Sequence, residues 1–117
     1  MKNFDEIKNM QNGVARQGDV LIVKLNDTVD VSSLKQIPND RGGQSVVLAY
    51  GEVTGHAHEL DARFASLYEF EGGRLLDVNQ ETVLGHEEHF GIRIQPGQYK
   101  VVQQMEYTPG AIRNVAD

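Results

Sequence analysis

The residues of this 117-residue chain best suited to chemistry are its four histidines, which stand as two close pairs. His56 and His58 lie in GEVTGHAHEL, and His86 and His89 lie in LGHEEHFG. On a strand, residues two apart project to the same face, roughly 6.5 to 7 Å apart at the backbone, so His56 and His58 could converge on one ion. His86 and His89 are three apart. That spacing brings side chains together on a helical turn or tight bend and sends them to opposite faces of a regular strand. If both serve one site, residues 85 to 90 must curl, and Gly85 and Gly91 flank that segment. Glu52, Glu59, Glu87 and Glu88 stand nearby as carboxylate ligands, as partners for an imidazole N–H, or as a general base.

Imidazole with carboxylate suits a divalent metal, zinc first, with iron, nickel or manganese as alternatives. Four imidazoles would close a tetrahedral zinc site and make it structural, whereas three with a water, or two with a carboxylate, would leave room for chemistry. The same pattern also fits a polar or pH-sensitive cluster at a subunit interface, or unrelated surface histidines. HEEHF is not the zinc-protease pattern, which needs its second histidine four residues after the first, where this chain has Phe90. There is no glycine-rich phosphate loop, and no serine sits in a nucleophile elbow. Glu69 and Glu71, two apart beside a turn, read as a solvated face. The expected metal ligands are therefore His56, His58, His86 and His89, with no catalytic residue assigned.

Composition narrows the setting. The chain fits one domain, residues 1–117, and is long enough to bury a core without staples. It has no cysteine, which removes disulfides and thiolate metal sites. The net charge is −6, with eleven basic residues spread thinly, so direct nucleic-acid binding is not expected. Neither a membrane-spanning run nor a secretory leader is seen, which predicts a protein that is cytoplasmic when made and not secreted.

The elements that must position the histidines read as mainly β. QGDVLIVKL, SVVLAYGEV, HAHEL, SLYEF, RLLDV, TVL, GIRI and QYKVVQQMEY are short runs, several alternating apolar with polar, as in a small β-barrel or sandwich of antiparallel strands. EFEGGRLL predicts a hairpin closed at Gly72 and Gly73, and IRIQPGQYKV another at Pro96 and Gly97. In the latter strand Tyr99, Val101 and Gln103 alternate with Lys100, Val102 and Gln104, which reads as half-buried sheet rather than a binding platform. A short helix is expected at each end. Phe4, Ile7 and Met10 share a helical face between Asn3 and Gly13, and Thr108 with Pro109 would start the second helix. Residues 26 to 44, polar and closed by Gly42 and Gly43, predict a long loop or arm.

HAH followed by Glu59, with GIRIQPGQY further on, resembles cupin motifs. It departs from them in having no gap before that glutamate and no histidine after Gly97, so it implies no more than a β-barrel with an HxH pair. QGDVLIVKL, GEVTGHAHEL, LGHEEHFGIRI, PGQYKVVQQMEYTP and IRNVAD together resemble a set of short phage, prophage and bacterial proteins with no established reaction. That resemblance covers most of the chain and implies a phage-related role. The leading expectation is a structural or interaction protein, such as a capsid-decorating virion component, with a four-histidine divalent metal site. Its partners would be copies of itself or capsid subunits. A cupin-like metalloenzyme using Glu59 or Glu87 for proton transfer, and a metal-free binding module, are the alternatives.

Overall fold

The computed structural model describes residues 6–51, 56–108 and 111–114. It is mainly β, and its sheets are not closed into a barrel. The strands are β1 (Ile7–Asn9), β2 (Val14–Gln17), β3 (Val20–Lys24), β4 (Ser45–Tyr50), β5 (Ala57–Asp61), β6 (Ala65–Phe70), β7 (Gly73–Val78), β8 (Thr82–Leu84), β9 (Gly91–Ile94), β10 (Gly97–Gln103), β11 (Met105–Thr108) and β12 (Ala111–Asn114). A five-stranded sheet runs β2-β3-β10-β7-β6. A three-stranded sheet runs β1-β9-β8, and β4 pairs with β5. Paired hydrogen bonds between Glu59 and Gly85, 3.0 and 2.9 Å, join β5 to the end of β8.

Alternation of side chains sets the core. Val20, Ile22, Ala65, Leu67, Leu76, Val78, Tyr99 and Val101 come from the five-stranded sheet, and Val46, Leu48, Leu60, Leu84, Ile92 and Ile94 from the other strands. All belong to one buried cluster, so the two sets of strands face each other across it. On β7, Arg74 has the same parity as Leu76 and Val78, and its Nη1 donates to Leu48 O at 2.6 Å, reaching from one set to the other. Tyr99 is buried, as the strand reading expects, and its hydroxyl donates to Gln95 O at 2.7 Å. No helix among the described residues is long and apolar enough to cross a membrane.

Neither terminal helix forms where described. Ile7–Asn9 pairs in parallel with Gly91–Arg93, while Asn3 and Phe4 lie outside the described residues. A helix carrying only three apolar residues is marginal, whereas the β9 edge supplies ready backbone partners. Gly13 stops no helix. With Asn12 it makes a two-residue turn, φ 54° and 75°, closed by Gln11 and Val14. Asn-Gly with both residues at positive φ is the favoured turn for right-twisted strands. At the other end β11 pairs with β12, Thr108 opposite Ala111. Pro109 and Gly110, between them, lie outside the described residues.

The expected hairpins divide. β6 and β7 form one, but its loop is Glu71–Gly72, φ 49° and 75°, with Gly73 already paired to Phe70. β9 and β10 form none: β9 lies between β1 and β8, and β10 between β3 and β7. The chain crosses from one set of strands to the other there, at Pro96, which lacks the N–H a ladder needs. Within residues 26 to 44, the part from Val29 to Ile37 runs along the five-stranded sheet and is tied to it. Gln98 exchanges hydrogen bonds with the Val29 backbone, Ile37 N–H donates to Leu67 O, and Glu69 N–H donates to Lys35 O. Residues 35–37 thereby cover the outer edge of β6, which limits edge-to-edge association.

Two outcomes test this packing. A Cβ on Gly91 would stand 2.9 Å from Val83 Cγ1 and 3.6 Å from Ile7 Cγ1. Gly91→Ala is therefore expected to lose about 1–3 kcal/mol in urea unfolding, despite the gain Ala brings by stiffening the unfolded chain. Burial holds the Tyr99 phenol above its ordinary value of 10.0. Because the folded pKa is the higher one, this contribution is complete below pH 10 and is lost as pH rises through the folded value. Tyr99→Phe is expected to be about 1 kcal/mol less stable at pH 7 and to show a shallower alkaline decline.

Candidate metal centre

The two histidine stretches meet because β5 and the chain after β8 are neighbours. Glu59 pairs with Gly85 in antiparallel register, so continuing that register sets His58 beside His86 and His56 beside Glu88. The backbone then departs from strand geometry in a turn at Glu87–Glu88 and a bend at His89, the curl that the three-residue spacing demands. Gly85 at its start contributes the bridge itself, whereas Gly55, in the GEVTGHAHEL run, lies outside the described residues.

His86 is central. Its ring centroid is 4.3 Å from that of His58, 4.6 Å from His89 and 5.8 Å from His56. His58 and His89 are 5.8 Å apart. All four expected residues thus come together. Rings bound through nitrogen to one tetrahedral ion at about 2.1 Å would have centroids roughly 5 Å apart, within this spread. As the side chains stand, no three His, Asp or Glu residues among those described form a complete ligand set. Closing on one ion requires the His86 and His89 rings to turn about their side-chain bonds, on a bend that leaves both partly exposed.

Carboxylates frame the cluster. His56 Nδ1 contacts the Glu88 carboxylate, and Glu88 N–H donates to His86 Nδ1 at 3.0 Å. Glu87 accepts from Ala57 N–H at 3.1 Å. Burial would raise the Glu87 carboxyl, but backbone N–H donors and the nearby His86 and His56 outweigh it and hold the pKa below its ordinary 4.5. Glu59 faces elsewhere, bound to Ser45 Oγ at 2.5 Å and Arg41 at 3.1 Å. Glu52 lies outside the described residues.

The inner end holds residues that the histidine pattern does not point to. His58 is fully buried, and its Nδ1 lies 2.9 Å from Gln17 Oε1. Gln17 Nε2 donates to Leu84 O at 3.0 Å and to Phe90 O at 2.7 Å, so the amide can be oriented only one way. Its oxygen therefore accepts, His58 Nδ1 carries the proton, and His58 Nε2 is directed toward Asp19 Oδ1 at 3.4 Å. Asp19 is 1% exposed, and its other oxygen accepts from Gln103 Nε2 at 2.9 Å. The signal for this pair in the sequence is the polar trio QGD opening an apolar strand run.

An open cleft of about 280 Å³ reaches the cluster beside His89 and Gln17, with Lys8, Arg16 and Phe90 also on its walls. Larger hollows, such as that of about 470 Å³ at Gly43, Gln44 and Asp61–Arg63, have no histidine on their walls. Replacing Gln17 by leucine keeps the volume but removes both amide donors and the acceptor of the His58 N–H. The expected loss is about 2–4 kcal/mol in urea unfolding with chelator present, and an unchanged midpoint would show that the amide ties nothing together.

No match is found among curated proteins or among solved structures. A family model described as a domain of unknown function, DUF8820, matches residues 16–104, a span that includes Gln17, Asp19 and all four histidines. The chain belongs to that family.

Proposed function

We propose that this protein binds a divalent metal ion in the cluster of His56, His58, His86 and His89, and that the ion locks a two-layered β-sandwich at one end. The observation that carries this reading is the meeting of two sequence-distant histidine pairs around His86, at ring separations of 4.3 to 5.8 Å. His89 Nε2 is buried and makes no hydrogen bond among the described residues. An unmade buried polar contact costs about 1–3 kcal/mol, a cost that ion binding removes. Imidazole donors suit zinc, iron, nickel or manganese. Because the cluster joins β5 to the turn after β8, the ion would hold two separate parts of the chain.

A catalytic reading is favoured by one observation. The cleft beside His89 is open and carries Lys8 and Arg16, so a small anionic molecule could reach an ion that keeps a free position. In that reading Glu87, held ionised near His56 and His86, is the carboxylate placed to accept a proton.

Chelator-treated protein titrated with zinc, nickel, manganese and iron(II) tests the proposal. One ion per chain is expected to bind, and at a free concentration 100 times Kd it should add about 2.7 kcal/mol of stability. His86→Ala should abolish both effects. If none of these ions binds, and His86→Ala unfolds like the parent with and without them, the metal reading fails.

A further inference from the structure

We propose that Asp19 is a direct ligand of the ion, which sits among Asp19, His58, His86 and His89 and leaves His56 outside the set. This rests on the cluster binding a divalent cation, and names a donor that histidine spacing does not reveal. The 3.4 Å between His58 Nε2 and Asp19 Oδ1 exceeds the range of about 2.7–3.2 Å for an N–H···O hydrogen bond, and Asp19 Oδ1 makes no hydrogen bond among the described residues. Two donors about 2.1 Å from one ion, at angles of about 90–110°, stand roughly 3.0–3.4 Å apart. The pair therefore has the spacing of two ligands on a shared ion.

Both members are fixed in that attitude. Gln17 keeps the His58 proton on Nδ1, which leaves Nε2 as the donor nitrogen. Gln103 holds Asp19 Oδ2, and Gln104 N–H donates to the Asp19 main-chain carbonyl at 2.8 Å. Charge points the same way. Neutral imidazoles alone would leave a doubly positive ion uncompensated beside residues that are 0% and 1% exposed, and burying unpaired charge is costly. One carboxylate halves that charge.

His56 differs from the other three. Its side chain is 29% exposed, and it meets His86 edge-on at 5.8 Å. His58, His86 and His89 form the tighter triangle, 4.3, 4.6 and 5.8 Å on its sides. Three imidazoles and one carboxylate suit first-row divalent ions, and an ion that takes five or six ligands would keep positions open toward the cleft at His89.

Cobalt(II) is the probe, titrated into the chelator-treated full chain. Asp19→Asn is expected to weaken binding by more than about 100-fold, beyond the 10–100-fold that loss of an outer partner costs, and His56→Ala by less than about tenfold. X-ray absorption on the cobalt-loaded parent protein should count three imidazole rings, a readout that does not depend on any variant folding. Four rings, an Asp19→Asn loss smaller than about 100-fold, or a His56→Ala loss equal to that of His86→Ala would overturn the assignment. If the parent binds cobalt and Asp19→Asn is indifferent, only the role of Asp19 falls. If the parent binds none, the metal reading falls with it.

Discussion

The hydrogen bond between Gln17 and His58 is the contact on which the arrangement of the candidate site depends. It is buried, spans 2.9 Å, and joins the end of β2 to the start of β5, strands of different sheets. The same amide holds the carbonyls of Leu84 and Phe90, the residues at either end of the segment that carries His86 and His89. One side chain thus sets the proton on His58, the position of the turn, and the spacing between the two sets of strands. A leucine there would fill the space yet satisfy none of the three polar groups, and buried polar groups are costly when left unmade.

The backbone cooperates by breaking its own regularity near the site. β4 and β5 pair in register from Ser45–Asp61 to Val47–Glu59, shift by one residue, and resume with Ala49 opposite His58. The extra residue is Leu48, whose side chain is buried in the core and whose carbonyl accepts from Arg74. Burial holds the Arg74 guanidinium pKa below its ordinary range. A bulge of this kind re-aims the side chains around it, here beside the histidine that must face Gln17 and Asp19. Glycine is the visible sign of irregular backbone in a sequence, and a bulge built from Val47, Leu48 and Ala49 carries none.

What was legible in the sequence follows the range of the interaction that decides it. Strand alternation is local, so β3, β5, β6, β7 and the inward Tyr99 and Val101 of β10 can be read directly. The Asn12–Gly13 turn was equally local but competed with a helical spacing of Ile7 and Met10, and tertiary pairing of β1 on β9 decided between them. The crossing at Pro96 was hidden because a proline-glycine pair closes hairpins and changes of sheet alike. For the site, the histidines were visible by residue type and the curl of 85–90 by their spacing. Gln17 and Asp19 were not, since nothing within a strand's own sequence states which polar residue at its end faces a histidine forty residues away in another sheet.

The remaining question is why a fold with an ample apolar cluster keeps a carboxylate, an amide and an imidazole buried together. As stability devices they are poor choices, because a buried polar pair roughly breaks even against well-packed apolar residues of the same volume. The Gln103 amide offsets part of the cost of burying Asp19, and a cation beside His58 would offset more. The Gln17 amide, by keeping the proton on Nδ1, directs the other ring nitrogen at the carboxylate whichever cation is present. Buried polar side chains stand at the β2–β3 junction, at Ser45 and along HAH, and those of Gln17, Asp19 and His58 meet in space. Places where local rules are broken are where functional or strained sites are expected. Here they converge on one point, between His58 and Asp19.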